Sequence, residues 1–349
     1  MQSKIPLIYI PGLFGSLGTE ILPGMGSWHF GPSHYTGKRF VKQLLDYGYT
    51  MNTDLFIMFY DWRQKVDDLA LYTLGPLIHK VKQASGVPKV NLICHGTGGL
   101  IARTYAQSDS YDYSINHMIL IGTPNAGLIP AFSYLNNGSI PITCMSNPDF
   151  ISLNLNLYLQ VFSKSNRMHT PFLRNSFPSL AQFIPSGDYG DYLFYTYKNR
   201  TYSIPQHYMS LTNPFLDDLN AKAHLLKDRH IEVTLFGGTG ENTTESLEVI
   251  PACNAEKYRD GKIINCHQGK QGDGCSLLRS VFAIEGQQYI LNSDYGELLL
   301  QSANLLPSIF IVREFFVSKT SLQFPPLALN AHTFYHLTLV ASSYCTVDY

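Results

Sequence analysis

The stretch Val90–Arg103, Val-Asn-Leu-Ile-Cys-His-Gly-Thr-Gly-Gly-Leu-Ile-Ala-Arg, constrains this chain more than any other. The apolar run Val90–Ile93 stops at a cluster of small residues, and a helical pattern begins at once with Leu100, Ile101 and Ala102. A buried strand that turns sharply into a helix brings two backbones very close, so the flanking positions must be small. Strand, tight turn and helix in this order are the context of a nucleophile elbow, whose apex side chain stands above a sheet. Cys94 and Gly98 hold the two flanking positions, and the apex is Gly96, where a nucleophile would be Ser. The geometry is therefore expected and the attacking oxygen is missing.

The surrounding chain fits such an elbow. Pro6–Ile10 and His117–Ile121 read as strands that end in glycine-containing loops, Pro11-Gly12-Leu13-Phe14-Gly15-Ser16 and Gly122-Thr123-Pro124-Asn125-Ala126-Gly127. Gly37–Gly48, with Phe40, Val41, Leu44 and Leu45 on one face, predicts a helix stopped by Gly48, and the spacing of Leu71, Leu74, Ile78 and Val81 predicts another. Leu55–Tyr60, Ile231–Phe236 and Ile309–Phe316 read as further strands, and Gly261–Asn265 as one arm of a small hairpin. Strands alternating with helices predict an α/β fold, a mostly parallel sheet flanked by helices. Between Leu128 and His230 the alternation gives way to interleaved Pro, Asn, Ser and aromatics. An inserted cap over the carboxyl edge of the sheet, where open α/β sheets bind ligands, accounts for it. The expected division is a core of 1–127 and 231–349 with a cap or lid at 128–230.

Bulk properties exclude some functions. Lys+Arg 25 against Asp+Glu 26 leaves net charge −1, so no basic field invites nucleic acid. No apolar stretch reaches the roughly 18 residues that span a membrane, and Ile5–Ile10 is too short for a signal-peptide core. The six cysteines form no C-x-x-C pair. Cys253 and Cys266 are near enough in sequence to pair, but reduced thiols and a cytoplasmic location are the default expectation.

The chain order elbow, Asp, His is that of a hydrolase triad. Asp273, between Gly272 and Gly274, is the candidate acid; His336 is the candidate base, with His332 as the alternative. Asp in such a setting is commonly a plain turn residue, and paired histidines commonly solvated groups, so the order and the elbow carry this reading. The backbone N–H groups of Leu13 or Phe14 and of Thr97 would line an oxyanion hole. Cys94 should point into strand–helix packing, where thiols are inert, and Thr97 away from the site.

Leu7–Ser16, Tyr60-Asp61-Trp62-Arg63, the elbow with Gly98–Arg103, Gly122–Gly127 and Gly272-Asp273-Gly274 together resemble the lipases related to lecithin–cholesterol acyltransferase, in that family's order. The resemblance implies an α/β-hydrolase fold, acyl-ester chemistry on a small acyl or lipid-like substrate, no metal and no cofactor. It also implies Ser at position 96, Asp at 273 and His at 336, two of which are in place. Cys94 replaces a Gly and Cys275 a Thr of the family pattern.

Three readings follow. The chain is a silenced acyl hydrolase; or a natural variant whose His336 activates water or a substrate group, as a direct hydrolase, cyclase or lyase; or a non-catalytic acyl-binding module. On the first, His336 should reach Asp273 and face a void or water beside Gly96, and Gly96→Ser should create an esterase at little cost in stability.

Overall fold

The computed structural model describes residues 4–18, 27–30, 34–139, 169–253 and 258–310. Met1–Asn304 form one compact unit and Leu305–Tyr349 a second. In the second, residues 306–310 are helical, where the apolar run predicts a strand from Ile309. Leu305, Leu306, Ile309 and Phe310 recur at helical rather than alternating spacing, and that period prevails.

The strands of the first unit, in chain order, are β1 (Leu7–Ile10), β2 (Ser16–Gly18), β3 (Trp28–Phe30), β4 (Leu55–Ile57), β5 (Val90–His95), β6 (Ile115–Ile121), β7 (Leu193–Tyr197), β8 (Arg200–Ile204), β9 (Glu232–Thr239), β10 (Thr243–Ile250), β11 (Lys262–Gly269) and β12 (Gln287–Asn292). Six of them make the main sheet in the order β12-β9-β6-β5-β1-β4. Every neighbouring pair in it is parallel. Its inner strands β1 and β5 are buried along their whole length, which is why they read as mainly apolar runs. Helices His34–Asp46, Gly75–Ser85, Gly98–Gln107 and Tyr295–Ala303 connect or flank these strands. The helix predicted at Gly37–Gly48 thus starts earlier, at His34.

A second sheet has the order β11-β10-β7-β8. It draws β7 and β8 from the aromatic-rich stretch and β10 and β11 from the segment between β9 and Asp273. The excursion from the main sheet therefore has two sources, 193–204 and 243–269. Within 128–230, helix Pro214–Ala221 packs back on the elbow helix: Arg103 Nη2 donates to Leu219 O at 3.3 Å and to Asn220 Oδ1 at 2.8 Å.

Cys94, Cys253 and Cys275 are outside any disulfide, whereas Cys266 is disulfide-bonded. The Cys253–Cys266 pair is therefore not formed. No helix among the described residues is long and apolar enough to cross a membrane.

Candidate active site

Gly96 follows β5 directly and precedes helix Gly98–Gln107, with φ +50°. Its amide donates to Ile121 O at 2.8 Å, which ties the turn to the end of β6. Gly98, two positions on, is held close to the first-strand loop: a Cβ there would lie 2.7 Å from both Ile10 O and Pro11 O. The sharp strand–helix turn expected from the sequence is thus present, and its small residues are required by backbone approach.

The first-strand loop abuts this turn. A Cβ on Gly12 would stand 3.0 Å from His95 O. Leu13 and Phe14 are buried there, and Phe14 has φ +60°. Two aromatic residues of the Tyr60-Asp61-Trp62-Arg63 motif support the loop. Tyr60 Oη donates to Pro11 O at 2.7 Å, and the Trp62 ring lies 4.5 Å from that of Phe14 while its Nε1 donates to Ser16 O at 3.0 Å. Thr97, the other expected oxyanion position, is buried immediately after the apex.

Asp273 reaches the carboxyl edge from the second sheet. After β11 the chain returns to the end of β9, where Gly240 N donates to Lys270 O at 2.9 Å and Glu241 N to Gly272 O at 3.2 Å. Asp273 is 1% exposed. Its Oδ1 accepts from Cys275 N at 2.9 Å and Ser276 N at 2.6 Å, whereas Oδ2 accepts from no described residue. Burial pushes its carboxyl up from 3.8 to about 7, against the lowering effect of those two amides. Because the folded value exceeds the unfolded one, this group's stabilising contribution is full below about pH 4 and is lost as pH rises through 7. His95, lowered to about 4 by burial, works in the opposite direction. Because His95 offsets the fall in the parent, the quantity to read is the melting temperature of Asp273→Asn minus that of the parent, which should rise between about pH 4 and pH 7 and stay level above. Thermal melts of both across that range measure it, and parallel curves would contradict the buried-carboxyl account.

The expected void beside Gly96 is filled. Tyr295, the first residue of helix Tyr295–Ala303, comes directly after β12 and a short Ser293-Asp294 link. Asp294 caps that helix, its Oδ1 accepting from Gly296 N at 2.9 Å and Glu297 N at 2.8 Å. The Tyr295 amide donates to Asp273 O at 2.9 Å, and its carbonyl accepts from His95 Nε2 at 3.1 Å. Its ring stacks on the His95 ring with centroids 4.2 Å apart. A Cβ on either Gly12 or Gly96 would overlap the Tyr295 hydroxyl, so that oxygen sits between the elbow apex and the oxyanion loop.

The other site residues fall out as follows. Cys94 is fully buried and burial pushes its thiol upward, so it offers no thiolate to an ester. Arg103, fully buried, binds the elbow helix to the Gly122–Gly127 loop through Nη1 to Asn125 Oδ1 at 3.0 Å. His332 and His336 lie outside the described residues. Among the described residues no cluster of metal-ligating side chains occurs. A cavity of about 400 Å³ lined by Asp67, Leu71, Thr104, Gln107 and Phe215 contains none of the site residues. Reasoning from sequence missed Tyr295; the signal was there in Tyr289-Ile290-Leu291, an edge strand followed by the capping Asp294 and the apolar Leu298-Leu299-Leu300.

A mostly parallel sheet with a sharp strand–helix turn after β5, a glycine loop after β1 and a buried Asp brought beside the end of β9 is the α/β-hydrolase fold. The chain is similar to lecithin:cholesterol acyltransferase, whose family model matches residues 29–183. A comparison with curated protein sequences found no match. Among solved structures, the mature form of the Bacillus licheniformis lipase BlEst2 is 12% identical, with 89% of this chain and 92% of that one covered and a TM-score of 0.49. Its propeptide form is 12% identical over 95% of this chain and 53% of that one, TM-score 0.48. A structure from work on carboxylesterases of the thaumarchaeon Nitrososphaera gargenis is 12% identical, covering 90% and 92%, TM-score 0.37.

Proposed function

We propose that this chain is a lipase- or esterase-type acyl hydrolase in architecture whose acyl-transfer site is silent. The observation that carries the reading is the pairing of Gly96 at the elbow apex with the Tyr295 hydroxyl in front of it. Acyl transfer by a triad needs an oxygen or sulfur at the apex within about 3 Å of a base, and room for the acyl carbon beside it. Gly96 has no side chain, Cys94 is buried as a thiol, and Tyr295 takes the room. Loss of a serine nucleophile typically costs on the order of 10⁶ in rate. In this reading the stretch 128–230, together with the β10–β11 hairpin, forms the cap over the carboxyl edge. An acyl or lipid-like molecule is the ligand class to which such an edge is suited. Neither the water-activating role of His336 nor a dedicated acyl-binding role is favoured by an observation on the described residues.

The test uses the chain as it stands, with p-nitrophenyl esters of several acyl lengths and a fluorophosphonate probe. The expected result is no covalent labelling and hydrolysis close to the buffer rate at every chain length. Labelling of any residue, or turnover with an acyl-enzyme burst, would overturn the proposal.

A further inference from the structure

We infer that Tyr295 occupies the base position of the site, so that the site has lost two of its three chemical groups and the Tyr295 side chain is fitted to the bare apex at Gly96. The inference rests on the silent-hydrolase reading above and adds to it which position the base would hold. A triad base must touch the carboxylate with one ring atom and the apex nucleophile with another. The Tyr295 ring spans that gap. Its Cδ2 lies 3.6 Å, and Asp273 Oδ2 3.1 Å, from the same point above Gly122, where a Cβ would stand. Along the same ring edge, Cε2 lies 3.3 Å from where a Cβ on Gly96 would stand, and Cζ 3.0 Å from it. The ring therefore runs from the carboxylate oxygen that has no described partner to the apex that has no side chain.

Its backbone is fixed for that task. The amide of residue 295 is bound to Asp273 O and its carbonyl to His95 Nε2, so two neighbours of the elbow hold residue 295 in place. A Cβ on Gly238 of β9 would come within 2.5 Å of Ser293 O and 2.7 Å of the Asp273 Cβ, so this strand glycine is what lets both loops close over the sheet edge. An imidazole at 295 is shorter than a phenol and lacks Cζ and Oη, the atoms that crowd position 96. Turned so that Nδ1 takes the Cδ2 edge, it meets Asp273 Oδ2 and directs Nε2 at the apex. A serine at 96 then fits, its proton passing from Oγ to Nε2 as Oγ bonds to the acyl carbon, with the alcohol leaving on reprotonation by the same nitrogen. With Tyr at 295 the first transfer has no acceptor and the second therefore no proton to return, since burial raises the phenol far above its ordinary range and a protonated phenol is no base.

The experiment compares Gly96→Ser, Tyr295→His and the double variant, each first shown folded by its thermal melt. The double variant should label with fluorophosphonate and hydrolyse p-nitrophenyl acetate at least 100-fold faster than either single variant, and Asp273→Asn added to it should abolish most of the gain. A folded double variant that does not label, or a Gly96→Ser variant that labels equally well with Tyr295 intact and loses labelling with His336→Ala or His332→Ala, overturns the inference. Should the double variant not fold, Tyr295→His alone decides by NMR. Its imidazole should titrate higher with Asp273 present than with Asp273→Asn, and an unchanged titration overturns the assignment. The parent chain's silence is read separately by its own labelling assay, so either reading can fail without the other.

Discussion

Gly96→Ser, made alone, should lower the melting temperature by several degrees and leave the protein inert toward esters and fluorophosphonate. Two costs add. A non-glycine residue at φ +50° loses roughly 1–2 kcal/mol against its preferred backbone. The new Cβ overlaps the Tyr295 hydroxyl and lies 3.0 Å from Cζ, and overpacking of this kind typically costs about 1–3 kcal/mol. The ring cannot step aside easily, because it is half-buried against the core, stacked on His95 and begins a capped helix. From the sequence alone the same substitution looks cheap and activating, because the turn tolerates many residues and the facing side chain is invisible. Differential scanning calorimetry with the two activity assays decides the matter. A Gly96→Ser protein as stable as the parent and covalently labelled would show that Tyr295 does not block the apex.

Arg63→Ala should destabilise the protein by about 3–5 kcal/mol, the usual cost of leaving one buried charge without its partner. Asp61 and Arg63 are each 3% exposed. Arg63 Nε donates to Asp61 Oδ1 at 2.8 Å and Nη2 to Oδ2 at 2.9 Å, a two-point contact that fixes both planes. The Arg63 amide also donates to Asp61 Oδ1, at 3.0 Å, so the carboxylate shapes the loop that carries Trp62 beneath Phe14. Replacing both charges, as Asp61→Asn with Arg63→Met, should cost clearly less than Arg63→Ala alone, since no unpaired ion remains. Urea denaturation of the parent, the single and the double variant measures this. Equal losses in the two variants would mean that the loop geometry, and not the ion pair, sets the cost.

The order of elements was legible because the central strands are buried on both faces. Leu7–Ile10, Val90–His95 and Ile115–Ile121 are largely apolar and almost wholly buried, and each opens into a glycine loop at the carboxyl edge. Edge strands carry no such mark. β12, Gln-Gln-Tyr-Ile-Leu-Asn, alternates between exposed and half-buried residues and is polar at both ends. With that strand unmarked in the sequence, the loop that carries Tyr295 is unmarked too. Asp273 was legible through its place between two glycines. Its lone oxygen and raised carboxyl were not, because they depend on β9, β11 and residue 295 meeting at one point.

The sequence by itself determined the α/β class, the sharp turn at Gly96 and the absence of an attacking oxygen at the apex, since each follows from residue size and local spacing, and it offered Asp273 as the candidate acid through chain order. Only the tertiary structure decided what stands in front of Gly96. Residues 96, 273 and 295 come from three different strand ends, and their meeting is set by the parallel order β12-β9-β6-β5 and not by any local pattern. A side chain filling a space left by a glycine about two hundred positions earlier is a property of packing, which sequence periodicity does not encode.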